Sequence, residues 1–201
     1  MTTRLARLAL GLTLLSTAAA LPAQRMSESY EFLKAVREAN GAKVQEFIDK
    51  PGSSIINTKD RETGETALHL AAKRGDVAYS RFFIGRGANI NAQDARGNTA
   101  LMLATAGSNA ELVEVFTKLK ANVNLANQSG ETPLIRAVQL RNIDLVRILL
   151  AAGGNADQRD VIAGMSAREY ATRDARSPAI TKMLADAPKV QARAVAGPTL
   201  R

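Results

Sequence analysis

GETALHLAAKRGD, residues 64–76, carries the only histidine of the chain, with Glu65 four residues before His69 and Asp76 seven after it. Read alone, the segment suggests an acid–base centre. Laid against the rest of the sequence it becomes one copy of several. GETALHLA (64–71) returns as GNTALMLA (97–104) and as GETPLIRA (130–137), two steps of 33 residues, and a degenerate GMSAREYA (164–171) follows after 34. A second signal keeps the same step: Ala88-Asn-Ile-Asn91, Ala121-Asn-Val-Asn124 and Gly154-Asn-Ala-Asp157. Two signals on one period mark internal repeats, each a small unit that can bury its apolar face only against its neighbours.

Each unit reads as two helices. Thr66, Thr99 and Thr132 stand where a hydroxyl can cap the first helix, and Pro133 sits at the first helical position, where a missing N–H costs least. Ala71, Ala104 and Ala137 fall on its crowded side. A second helix follows from apolar residues at helical spacing: Val77, Phe82 and Phe83; Leu112, Val113, Val115 and Phe116; Ile143, Leu145, Val146, Ile148, Leu149 and Leu150. Gly87 and Gly153 read as left-handed caps, with Lys120 in that place in the middle unit.

The composition agrees with a helical stack and narrows the function. Hydrophobic residues make up 46% and charged residues 23%, which excludes disorder throughout. Aromatic residues are only 4%, so Leu, Val, Ile and Ala must fill the core. The first 23 residues, MTTRLARLALGLTLLSTAAALPA, read as a secretory signal with cleavage after Ala20 or Ala23. Their apolar run, 8–21, is 14 residues and is interrupted by Gly, Ser and Thr, short of the roughly 20 that a spanning helix needs. With no cysteine there is neither a lipid-attachment site nor a disulfide. The formal charge of +8 falls to +6 without Arg4 and Arg7, and no basic run interleaved with aromatics offers a nucleic-acid groove.

At this point the chain resembles the ankyrin repeats, whose 33-residue unit is a turn and two antiparallel helices with a Thr-Pro-Leu-His-x-Ala signature. Thr66-Ala-Leu-His-Leu-Ala71 departs from that signature at one residue, as does Thr132-Pro-Leu-Ile-Arg-Ala137. The resemblance implies an all-α solenoid of about five units over 28–186. Full repeats would span 61–93, 94–126 and 127–159, end units 28–60 and 160–186, and a tail without periodicity 187–201. Arg168, Glu169 and Arg173 supply the polar surface that an end repeat requires.

The resemblance also implies that His69 is structural, its ring bonded to the turn of the adjoining unit. The residues alone agree: no second His and no Cys can join it in catalysis or metal binding. The glycines at 85–87 and 151–154 lack the strand and the Lys-Ser/Thr pairing of a phosphate loop and read as helix ends. No enzymatic activity, cofactor or metal is expected.

What remains is a concave surface of turn tips and first helices. By position in the unit, the resemblance nominates Glu62, Glu65, Lys73, Arg74 and Gln93, then Arg96, Asn98 and Ala106, then Gln128, Glu131, Gln139, Leu140 and Arg159 as protein-binding residues. Leu140 is apolar where the family is usually polar. Arg136 stands where Leu70 and Leu103 sit, so it must be paired or turned outward. The expected protein is a monomeric, exported protein-docking module, in the periplasm if the short Ala-rich leader is bacterial. A permanent accessory subunit of an envelope enzyme or transporter, and a secreted effector, are the alternatives.

Overall fold

The computed structural model describes residues 20–174 and 176–189. The expected signal segment lies outside them except for 20–23, and the expected tail except for 187–189. The described residues form α-helices, one 3-10 turn and two isolated bridges, Gln93 with Thr99 and Arg159 with Ser166, without a strand.

The helices come in pairs: α1 (Ala20–Arg37) with α2 (Gly41–Asp49), α3 (Ala67–Arg74) with α4 (Val77–Gly85), α5 (Ala100–Ala106) with α6 (Ala110–Lys118), α7 (Pro133–Gln139) with α8 (Ile143–Ala151), and α9 (Ala167–Arg173) with α10 (Pro178–Asp186). First helices pack on first helices and second on second, so the pairs stack into a solenoid. Ala71, Ala104 and Ala137 are wholly buried, and their small side chains are what lets α3, α5, α7 and α9 approach. Around them lie Phe32, Leu68, Phe83, Leu101, Phe116, Leu134, Leu149 and Leu184, one layer passing into the next.

Local chemistry places the helix ends. Thr99 and Thr132 accept from Met102 N–H and Ile135 N–H at 3.2 Å, closing the starts of α5 and α7. The second helices α2, α4, α6 and α8 carry a cap not expected from the sequence: Asn40, Asp76, Asn109 and Asn142 each accept from the amide three residues on, at 2.9 to 3.1 Å. The turn just before those caps is left-handed in every one of these pairs, at Ala39 (φ 54°), Gly75 (73°), Ser108 (55°) and Arg141 (55°). Gly87 and Gly153 are left-handed as expected, and Lys120 adopts the same conformation at φ 65°. For a side chain with a Cβ that conformation costs about 1 kcal/mol.

The N-terminal unit departs from the rest. Its first helix is 18 residues long and covers 20–23, the last residues of the expected leader. The enlarged loop after α2 folds back through a 3-10 turn at Ile55–Asn57. Asn57 then does what Asn91 and Asn124 do further along: its Oδ1 accepts the N–H of a residue in the next loop, here Asn89 at 2.7 Å.

Candidate functional site

Four turn tips project in a row ahead of α3, α5, α7 and α9. Each is folded by an Asp or Asn whose side chain accepts from backbone amides within the turn: Asp60, Asp94, Asn127 and Asp160. From that residue to the turn glycine is four residues in the first and last tips, and three in the middle two. The Thr63 N–H at Asp60, with Arg37 and Glu62 N–H, draws the Asp60 pKa down from 3.8 to about 2.

Neighbouring tips are bonded backbone to backbone. Ala95, Gln128 and Val161 N–H donate to Thr63, Arg96 and Ser129 O, each at 2.9 Å. The acceptor is always the residue before the turn glycine. Gly64, Gly97 and Gly130 have φ of +68°, +80° and +72°, and a Cβ on them would lie 2.6 to 2.8 Å from the backbone of the next tip. Only glycine fits there.

His69 belongs to this framework. Its Nδ1 accepts Thr66 N–H at 3.2 Å and lies 2.8 Å from the Thr66 hydroxyl, so Nε2 carries the proton and donates to Asn98 O in the next tip at 3.0 Å. The ring is wholly buried. Burial pushes its pKa below 6.5, against the Asn98 bond and the Asp94 and Glu65 charges. With both nitrogens engaged and no path to solvent, it serves as a strut between repeats. Among the described residues no cluster of three or more potential metal-ligating side chains occurs.

The nominated surface residues divide into two groups. Glu65 and Glu131, expected at exposed turn tips, are buried. Glu65 accepts from Lys73 Nζ at 2.7 Å and Glu131 from Arg136 at 2.8 Å. The turn folds each carboxylate back onto its own first helix, and Arg136 is thereby the paired alternative. Arg74 donates to Val36 O at 2.8 Å and to Asp76 at 3.2 Å, and lies over the Tyr79 ring, binding the N-terminal unit to the first repeat. The Gln93 amide reaches Gly97 O and Ala126 O, and that of Gln128 reaches Ala95 O, so both join tips. Asn98 bonds Asp94 and accepts from Asn127. Arg159 pairs with Glu169, and Gln139 lies beside the Tyr170 hydroxyl.

Lys73, Arg74, Gln128, Gln139 and Arg159 keep exposed surface within this first group, and the second group is exposed as well. Glu62, Arg96, Ala106 and Leu140 are exposed, Leu140 by 41%. Arg96 and Ala106 open onto a concave cleft of about 400 Å³ between the second and third repeats. Its floor is Met102 and Leu103, and Asn127, Ser129 and Arg136 form its far wall. The cleft presents an apolar patch ringed by hydrogen-bonding groups, the usual anatomy of a surface that docks a protein segment.

No helix among the described residues is long and apolar enough to cross a membrane. A family model described as ankyrin repeats (three copies) matches residues 32–125, 77–161 and 107–193. Among curated proteins, 63 residues are 35% identical to diacylglycerol kinase iota of Homo sapiens and 33% identical to the proteins of that name from Rattus norvegicus and Mus musculus. Each match covers 31% of this chain and 6% of the relative. So small a share brings no kinase activity with it.

Proposed function

Because the chain belongs to the ankyrin repeat family, generally a family of protein-interaction modules without catalysis, we propose that it docks a partner protein of the bacterial envelope on its concave face. The observation that carries this reading is the cleft between the second and third repeats. There Arg96 and Ala106 stay exposed beside Met102 and Leu103, while most of the neighbouring polar side chains are engaged in holding the tips together. A rigid frame with a few uncommitted side chains suits a docking surface, because little ordering is left to oppose binding. The exported location rests on the basic, apolar and Ala-rich leader.

The test begins with a photo-crosslinking residue at position 106 in the full chain, expressed where it is exported, and identification of what it captures. With that partner in hand, Arg96→Ala combined with Leu140→Ala should weaken binding by tenfold or more. Lys118→Ala, on the second helix of the middle repeat, should leave it unchanged. Equal losses in both variants would remove the concave face from the account. Recovery of the chain only in the cytoplasm, with its leader intact, would remove the envelope.

A further inference from the structure

The row of tips is unfinished at its C-terminal end. Gly64, Gly97 and Gly130 are each covered by the backbone of the following tip, but a Cβ built on Gly164 meets nothing within 4 Å among the described residues. Thr63, Arg96 and Ser129 O each receive an N–H from that following tip, whereas their counterpart, Ala163 O, receives none among the described residues. Beside this open edge stand Val161 and Ile162, 70% and 80% exposed, the most exposed large apolar side chains described. The edge is preformed: Asp160 accepts from Ala163 N–H at 2.8 Å, and Tyr170 O–H holds its other oxygen at 2.5 Å.

We propose that residues 161–164 are a docking edge for a loop of a partner protein, which donates one backbone N–H to Ala163 O and lays its backbone over Gly164. The occupant's chemistry follows from continuity with the tip-to-tip interface, which occurs three times within the molecule. In each case the arriving segment is an Asp or Asn turn, and the residue after the Asp or Asn is the donor: Asp94 then Ala95, Asn127 then Gln128, Asp160 then Val161. A partner loop of that kind, with an aliphatic side chain beside it, satisfies the acceptor and shields Val161 and Ile162 from water. This edge lies outside the concave cleft, so the inference does not depend on that docking reading.

The probe is a synthetic peptide with the sequence of residues 91–99, Asn-Ala-Gln-Asp-Ala-Arg-Gly-Asn-Thr, titrated to millimolar concentration into the isotopically labelled full chain. Amide resonances of residues 161–165 should shift. The peptide with Pro in place of its second Ala, which lacks the donor N–H, should bind at least tenfold more weakly, as should the native peptide to the Val161→Asp, Ile162→Asp chain. Absence of shifts at 161–165, or equal shifts with the Pro peptide, overturns the proposal. So does a chain ending at Lys189 whose 161–165 resonances already differ from those of the full chain, because the edge would then be filled from within.

Discussion

His69 and Ser80 are both wholly buried, and the chain treats their polar atoms in opposite ways. Every polar atom of the His69 ring is bonded, which fixes the sign of its pH effect. Its folded pKa lies below the ordinary 6.5, so the unfolded chain takes up the proton first as pH falls. Its contribution is fully present above about pH 6.5 and declines as pH drops below that value. Urea unfolding at pH 7.5 and 5.5 should show the loss. His69→Met, which installs the residue found at position 102, should abolish this pH difference and cost about 1–2 kcal/mol at pH 7.5. A wild type equally stable at both pH values would contradict the assignment. The Ser80 hydroxyl, by contrast, is buried without a partner among the described residues. Val113 and Val146, one and two periods on, occupy the same place and are wholly buried. Replacing an unmet hydroxyl with methyl groups at a site shaped for them should stabilise the protein by about 1 kcal/mol, so Ser80→Val should raise the melting temperature. A lower melting temperature would mean that this repeat has no room for the branch.

At the scale of the element, the turn tip does most to define a repeat, and its glycines separate two effects that usually come together. Gly97 needs both a positive φ and the absence of a Cβ, which would come within 2.8 Å of Gln128 N. Gly164 needs only the positive φ. Gly97→Ala should therefore cost about 3 kcal/mol, strain plus displacement of the next tip, and Gly164→Ala only about 1 kcal/mol. Denaturant melts of the two variants check this, and equal losses would deny the close approach. The same element shows what the sequence could reveal. The 33-residue step, the capping threonines, the small alanines and the positive-φ glycines each require a particular residue type, so they leave a visible pattern. The fate of Glu65 and Glu131 does not. Whether a turn carboxylate faces water or folds back onto Lys73 or Arg136 depends on how the tip sits over its helix, and both outcomes use the same letters. Gln93, Gln128 and Arg74 were hidden for the same reason, because a long polar side chain that bridges repeats looks like any solvated one.

Across the whole molecule the bonds between repeats differ in kind. Where the three full repeats meet they are largely amide bonds: Gln93 to Ala126 O and Asn122 N–H to Asn91 between the first and second, Gln128 to Ala95 O and Asn127 to Asn98 between the second and third. At the ends, ion pairs of carboxylates are added to such bonds. Asp60 pairs with Arg37 and Asp49 with Arg86 at the N-terminal join, and Asp174 pairs with Arg141 at the C-terminal one. Bonds from Arg176 and Arg141 draw Asp174 down from 3.8 to about 2, Asp60 reaches about 2, and Arg86 lowers Asp49. Carboxylates with depressed folded pKa values stabilise above their unfolded value and cease to do so as pH falls from about 4 toward 2. In a solenoid each unit contacts only its neighbours, so the loss stays where the titrating groups are. Amide exchange of the full chain, stepped from pH 5 to pH 2.5 and corrected for intrinsic rates, should show α1, α2, α9 and α10 losing protection first. Helices α5 to α8 should hold until the ends have opened. Simultaneous loss along the whole chain would mean that the repeats are coupled too strongly for their joins to act separately, and the division into amide-bonded centre and ion-paired ends would then have no energetic meaning.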